Sequence, residues 1–289
     1  MTVGGEAAPK RAAVLGHPIS HSMSPALHGA AYQALGLDAT YEAIDVEGGK
    51  LGEFIAGLGP EWMGLSLTMP HKQDAFAACD MVDGLAKEVG AINTLVFQPT
   101  GASKMTIGFN TDVAGIVNAV REVSGELRTG PRAVILGSRA TASSALAALV
   151  QLGAKDIAVA ARSVAGPGTV VAAAHRMNVD ISTMKLDPEK VAAKIASADV
   201  LISTLPSCIA DPIAEALADV DCTGKLVLDV AYDKPSKLVA AVVANGGVSV
   251  PGWLMLLHQA ADQVRLFTGK PADVEVMRAA LLEEMARRA

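Results

Sequence analysis

Along the chain, short runs of aliphatic and β-branched residues alternate with Ala-rich stretches of helical length, the hydrophobic pattern of βαβ units. The pattern predicts strands at 12–16 (AAVLG), 39–46 (ATYEAIDV) and 62–68 (WMGLSLT). Helices are predicted at 25–36, 48–58 and 72–88, the last broken near residue 80. AINTLVF (91–97) and KMTIGF (104–109) flank the turn QPTGAS and read as a hairpin, followed by a helix from Asp112 to about Ser124. The polar segment GELRTGPR (125–132), with two Gly and a Pro, reads as a linker.

A second series follows it. Strands are predicted at 133–137, 156–161, 181–186, 199–204, 225–232 and 248–250, with helices at 141–153, 168–177, 188–197 and 236–245. Two helices, 253–268 and 271–287, close the chain, and no internal repeat or low-complexity tract interrupts it. The pattern therefore predicts an α/β fold with parallel sheet.

Composition narrows the function classes. A length of 289 residues, at roughly 150 per domain, predicts two domains. Hydrophobic residues make up 51% and charged residues 19%, which argues against disorder. A net charge of −6, with two Trp, three Tyr and five Phe, offers neither a basic footprint nor a stacking platform for nucleic acid. No run of about 18 uncharged apolar residues predicts a membrane span. The opening MTVGGEAAPKR lacks the apolar core of a signal peptide, and Cys79, Cys208 and Cys222 form no CxxC pair. A soluble, cytoplasmic protein with reduced thiols is the expectation.

Four segments of the first half carry chemistry. Residues 16–28 read GHPISHSMSPALH, where Ser24 before Pro25 is a helix start with Ser as the cap. Ser22 and Ser24 together offer two hydroxyls at a helix N-terminus, a small anion site without a formal cation. GLSLTMPHK (64–72) runs from a strand end to Thr68 and Lys72; GAINT (90–94) and GFNTDVAG (108–115) follow. Asp112 opens a helix, where a carboxylate also favours the dipole. In this order and spacing the four segments resemble the shikimate dehydrogenase family, with its G-x-P-x-x-x-S-x-S-P-x-x-H, T-x-P-x-K, G-A-x-N-T and G-x-N-T-D-x-x-G motifs. DVAYDKP (229–235) and GWLMLLHQAADQVRLFTG (252–269) resemble two further segments near the family's end, so the resemblance covers nearly the whole chain.

The resemblance implies reversible, NADPH-dependent reduction of 3-dehydroshikimate to shikimate, in chorismate and aromatic amino-acid biosynthesis. Hydride arriving at a ketone carbon leaves an alkoxide that needs a cation and a proton at its oxygen. It implies that Lys72 supplies them and that Asp112 orients and charge-balances the lysine. Two roles stay open for Lys72: literal proton donor, or electrostatic and orienting group. By the same resemblance Ser22 and Ser24 hold the substrate carboxylate, with Tyr232 a further candidate there. Thr68, Asn93 and Gln259 bind the hydroxyls with Lys72 and Asp112. The family usually has Asn where this chain has Ser66. His17, His21, His28, His71 and His258 lie near these segments but show no metal-ligand spacing, and no metal is expected.

The cofactor loop departs from the family. Gly137-Ser138-Arg139-Ala140-Thr141 stands where a G-A-G-G-A turn is usual, and the Cβ atoms of Arg139 and Ala140 take room beside a pyrophosphate. Either Arg139 compensates as a cation, or the turn is changed and dinucleotide affinity lowered; a retained site is the reading adopted. Strand 156–161 ends in Ala161-Arg162-Ser163 with no acid for ribose hydroxyls, and Arg162 can pair a 2′-phosphate, which favours NADP over NAD. Thr204 and Gly252 complete the cofactor candidates.

What the resemblance implies for architecture is a substrate domain over 1–115, completed by helices 253–289. A Rossmann domain follows over 116–252, with the active site in the cleft between the two. A monomer or homodimer acting on a small molecule is expected. The alternatives are an NAD-dependent quinate/shikimate dehydrogenase and a ligand sensor with an impaired cofactor site.

Overall fold

The structure, a computed structural model, describes residues 8–101, 103–127, 129–166, 168–232 and 234–288. The chain divides into two compact units, one of Met1–Asp83, Ile92–Phe109 and Ala260–Ala289, the other of Gly84–Ala91 and Asn110–Gln259.

In the first unit β1 (Lys10–Gly16), α1 (Ser24–Ala34), β2 (Ala39–Asp45), α2 (Leu51–Ala56) and β3 (Trp62–Leu67) form βαβ crossovers. β1 lies parallel to both β2 and β3. The helical stretch predicted at 72–88 is broken near residue 80, as expected, and the break is more than a kink. The stretch consists of α3 (His71–Asp74), a 3-10 turn (Ala75–Ala78), the short strand β4 (Met81–Val82) and α4 (Gly84–Val89), the last belonging to the second unit. Asp80 breaks the helix by accepting the Thr106 N–H (2.7 Å) and sending its own N–H to the Thr106 carbonyl, which draws the chain to a sheet edge. The hairpin β5 (Thr94–Thr100) and β6 (Ser103–Phe109) forms as predicted and gives the order β2-β1-β3-β5-β6-β4.

The second unit holds α5 (Asp112–Ser124), β7 (Arg132–Leu136), α6 (Ala140–Gln151), β8 (Asp156–Ala161), α7 (Val170–Met177), β9 (Ser182–Lys185) and α8 (Pro188–Ala196). β10 (Val200–Ser203), α9 (Asp211–Ala216), β11 (Leu226–Asp229), α10 (Lys237–Ala244) and β12 (Val248–Val250) complete its sheet. α9 is a helix of two turns that the hydrophobic pattern does not reveal. α11 (Gly252–Thr268) and α12 (Val274–Arg288) end the chain. The sheet order is β12-β11-β10-β7-β8-β9, all parallel, the doubly wound order whose direction reverses between β7 and β10. Being covered on both faces, its strands read as continuous apolar runs: Ala133, Val134, Ile135 and Leu136 are all buried. Local signals start several helices. Asp187 accepts the Lys190 N–H ahead of Pro188, and Ser236 accepts the Val239 N–H.

Packing in the first unit leaves no room for a side chain at Gly64 of β3, where a Cβ would overlap the Leu95 carbonyl and the Phe267 ring. Gly64→Ala is expected to destabilise the protein by about 1–3 kcal/mol, as overpacking of a filled core does. Urea and thermal unfolding check it, and an unchanged midpoint contradicts it.

Candidate active site

The first unit brings five of the predicted residues, Ser22, Ser24, Thr68, Lys72 and Asn93, to one end of its sheet. β1 ends at Gly16, and the loop that follows rests on the β3 end: a Cβ on Gly16 would overlap the Thr68 methyl, and the His17 N–H donates to the Met69 carbonyl (3.0 Å). The Leu67 N–H donates to the Asn93 carbonyl (2.7 Å), which sets Asn93 beside the β3 end. The Ile92 N–H donates to the Lys72 carbonyl (2.8 Å), closing the turn that carries the lysine. Ser22, Ser24 and Asn93 are buried, while Thr68 and Lys72 are half-buried.

Ser24 does not cap α1 as predicted. It lies inside the first turn, where its hydroxyl bonds the Tyr41 phenol, and Ser22 Oγ instead accepts the Ser24 N–H (3.3 Å). Two residues that carry no motif brace this loop. Asp45 at the β2 end contacts His17 Nδ1 (2.6 Å) and accepts the Ile19 N–H (3.3 Å). Arg288 on α12 donates to the carbonyls of His21 (2.9 Å) and Ser22 (3.2 Å). Glu284 holds Arg288 in turn; its bonds to Arg287 and Arg288 pull its carboxyl down to about 2. Only the Ser22-bearing loop links these braces to the motifs, so no local pattern could have found them.

Ser66, the departure from the family pattern, is buried in a hydrogen-bonded cluster with Tyr41, Gln263, Thr94 and Asn93. His28 stacks on Tyr41, with ring centroids 3.8 Å apart, and faces Gln263 Oε1 (3.3 Å). Burial lowers the His28 imidazole to about 3 and raises the Tyr41 phenol well above its ordinary range, so both rings are neutral at neutral pH. His71 Nε2 meets the Val46 carbonyl (2.8 Å), and His258 Nε2 pairs with Glu122 (2.8 Å). Among the described residues no group of three or more His, Cys, Asp or Glu could hold a metal ion.

In the second unit Asp112 is buried in the first turn of α5. That turn is anchored by Asn110, whose Oδ1 accepts the Val113 N–H (3.3 Å) while Nδ2 donates to the Ala91 carbonyl (2.9 Å) and Ser144 Oγ (3.1 Å). One turn further on, Gly115 lets α5 approach α11: a Cβ there would stand 2.9 Å from Gln259 Cβ and 2.8 Å from the Met255 carbonyl. Gln259 is buried and donates to the Leu256 carbonyl (2.9 Å). Tyr232 is half-buried in the segment after β11.

The second sheet's reversal sets Gly137 beside Thr204 at the carboxyl ends of β7 and β10. Gly137 has φ +112°, and a Cβ there would overlap Thr204 Oγ1, which itself donates to the Leu136 carbonyl (2.8 Å). Arg139 has φ −93° and ψ −165°, a conformation open to any residue, so the family's extra glycines are not required for this turn. Ala140 and Thr141 then open α6, leaving its N-terminal amides next to the turn, while Ser138 Oγ donates to the Ser163 carbonyl (2.6 Å). Beyond β8, Arg162 and Ser163 line a cavity of about 190 Å³ together with Thr183 and Lys185 from β9. Lys185 Nζ reaches the Arg162 carbonyl (3.5 Å), giving this cavity a second cation that the sequence pattern did not single out. Gly252 is required by packing, since its Cβ would overlap the Asp229 carbonyl.

Residues 14–95 match the family described as shikimate dehydrogenase substrate binding domain, and residues 252–282 match the shikimate 5′-dehydrogenase C-terminal domain. The chain is 33% identical to a shikimate dehydrogenase (NADP(+)) of Methanopyrus kandleri, over 94% of each chain. The structure of shikimate dehydrogenase from Mycobacterium tuberculosis is 40% identical with a TM-score of 0.81, covering 95% of this chain and 100% of that one. The Thermus thermophilus shikimate 5-dehydrogenase, in complex with NADP(H) and shikimate, is 29% identical with a TM-score of 0.78, over 95% and 99% of the two chains. With the motifs in order and the relatives matched nearly end to end, the chain belongs to the shikimate dehydrogenase family.

Proposed function

We propose that this chain interconverts 3-dehydroshikimate and shikimate with NADP(H). The observation that carries the reading is the gathering of Ser22, Ser24, Thr68, Lys72 and Asn93 at one sheet end, in a chain whose relatives are named for that reaction. Short hydroxyls, an amide and one ammonium suit a small polyol acid, whose every oxygen must be matched. When bound, the cofactor supplies or accepts the hydride. The reading assigns the proton at the substrate oxygen to Lys72 Nζ and the balancing negative charge to Asp112. Ser22 and Ser24 are assigned to the carboxylate with Tyr232 on the same side, and Thr68, Asn93 and Gln259 to the hydroxyls.

The nucleotide residues fit NADP. The cradle at Gly137 admits no side chain, α6 offers amides to a pyrophosphate, and the β8 end carries no acid to meet ribose hydroxyls. Ser138, Arg139, Ala140 and Thr141 would hold the pyrophosphate, Thr204 and Gly252 would line the nicotinamide side, and Arg162, Ser163 and Lys185 would take the 2′-phosphate. These cations count against NAD as the preferred cofactor, and the ordinary backbone of Arg139 counts against a sensor whose turn has been lost. No helix among the described residues is long and apolar enough to cross a membrane.

Steady-state rates with shikimate and quinate, each with NADP and NAD, test the reading; it requires shikimate with NADP to be the preferred pair. Lys72→Ala is expected to lower kcat by about 10²–10⁴-fold, the usual worth of a proton-transfer group, with the circular-dichroism spectrum unchanged. Near-normal turnover would remove Lys72 from that role. Lys185→Ala should raise the NADP KM and the Kd of 2′,5′-ADP by about 5–10-fold, the scale of one exposed charge-assisted hydrogen bond, and leave NAD unaffected. An equal effect on both cofactors would contradict the assignment.

The loop carrying Ser22 has a pH signature. Hydrogen bonding to Asp45 raises His17 above its ordinary 6.5, and the same bond lowers Asp45 below its ordinary 3.8. A raised histidine contributes fully below 6.5 and loses its contribution as pH climbs through its folded value. A lowered aspartate contributes above 3.8 and loses it as pH falls through its own folded value. The tie is therefore complete between the two ordinary values and weakens above that window as His17 loses its proton and below it as Asp45 gains one. NMR titration of the His17 ring should show a midpoint above 6.5 that Asp45→Asn returns toward 6.5; a midpoint unmoved by the substitution contradicts the tie.

A further inference from the structure

A directional chain of hydrogen bonds runs through the core of the first unit. The Tyr41 phenol donates to Ser66 Oγ (2.7 Å), and Ser66 donates to Gln263 Oε1 (2.8 Å). Gln263 Nε2 donates to Thr94 Oγ1 (3.0 Å) and to the Asn93 carbonyl (3.4 Å), and Thr94 donates to Asn93 Oδ1 (2.8 Å). Tyr41 and Ser66 are buried, and Asn93, Thr94 and Gln263 are at most 1% exposed. Gln263 uses all four of its hydrogen-bonding positions, because Oε1 also faces His28 Nε2 (3.3 Å).

The direction of this chain is set by donor arithmetic. A hydroxyl has one proton, so once Thr94 Oγ1 accepts from Gln263 its own proton is the one it can give, and it goes to Asn93 Oδ1. Gln263 in turn cannot flip, since its oxygen meets the Ser66 donor and its nitrogen meets two acceptors. The orientation of the Asn93 amide is thereby decided three residues away. In a buried site a reversed amide would confront Thr94 with a second donor in place of the acceptor it uses, an arrangement that burial penalises.

We infer that Gln263, Ser66 and Thr94 are positioning residues that lock the Asn93 carboxamide with Oδ1 inward, so that Asn93 meets its ligand as a hydrogen-bond donor through Nδ2, toward a hydroxyl or ring oxygen acting as acceptor. The inference rests on the proposed role of Asn93 with shikimate. It also gives Ser66 a function: with a short hydroxyl on β3, the carboxamide comes from α11 instead, and Gln263 fills the space between two strands.

Thr94→Val keeps the shape of the side chain and removes the proton that holds Asn93 Oδ1. It should raise the shikimate KM by about 10-fold, the scale of one buried hydrogen bond, leave the NADP KM unchanged and lower kcat by less than the KM rises. Thr94→Ser, which keeps the hydroxyl, should restore the wild-type KM. A folded Thr94→Val protein with wild-type KM overturns the inference, and so does a Thr94→Ser protein as impaired as Thr94→Val. If the wild-type protein does not turn over shikimate with NADP, the reading of function falls, and the side-chain amide resonances of Asn93 decide the positioning alone. They must shift in Thr94→Val and in Gln263→Leu and stay in place in Thr94→Ser. Unmoved resonances in Thr94→Val overturn it.

Discussion

One hydrogen bond, from the Leu67 N–H to the Asn93 carbonyl, fixes what the rest of the first unit can do. It extends the antiparallel pairing of β3 and β5 to the last residue of β3 and the residue before β5, and it sets the register in which Ser66 faces Thr94. Those two hydroxyls then lie side by side on one face of the sheet, at the spacing a single carboxamide can bridge, and Gln263 bridges them. A slip of one residue would turn Leu65 or Leu67 toward Gln263 and leave its amide buried against methyl groups. Register, amide orientation and the placement of Asn93 are therefore one constraint, enforced by the penalty on unpaired buried polar groups.

The second unit answers a different demand with backbone rather than side chains. Reversal of strand order between β7 and β10 leaves their carboxyl ends side by side with no helix crossing over them. Gly137 passes under Thr204 there, in a conformation that L residues rarely adopt, while Arg139 two residues on sits in ordinary extended backbone. The steric requirement falls on a single glycine. This explains how the chain departs from its family at two loop positions while its fold matches its relatives over nearly its whole length.

How much of this is legible along the chain depends on the range of the interaction. Long periodic elements and the hairpin are local, and the hydrophobic pattern finds them, while the motif positions are found by their resemblance to a family. The pattern shows a break near residue 80, but the Asp80 contact that makes it joins residues 26 apart, and the short strand β4 that follows is not read from the pattern. Ser24 has the local signature of a cap, yet Tyr41 on β2 competes for its hydroxyl. Gln263 is separated from Ser66 by 197 positions and Arg288 from His21 by 267, so neither announces its role in a segment of its own. The one sequence signal was negative, a serine where relatives carry asparagine. Its meaning depended on knowing that a carboxamide arrives from elsewhere.

An acidic chain with few aromatic rings is an unpromising host for a carboxylate and a phosphorylated nucleotide if only the average charge of −6 is considered. The structure separates the two problems. Around the proposed substrate residues most hydrogen-bonding groups are neutral and are kept so by burial: His28 stays uncharged because desolvation drives it to about 3, and Tyr41 stays protonated because desolvation raises it. A neutral network presents fixed dipoles without drawing counter-charges into the core, and on the proposed reading Lys72 is the cation that the first unit's motifs bring to the substrate. The cations proposed for the nucleotide, Arg139, Arg162 and Lys185, stand instead at strand ends of the second unit, all exposed, where hydration offsets the cost of holding charge. On that reading, specificity for oxygen positions and attraction for phosphate come from different physical sources, and net charge measures neither.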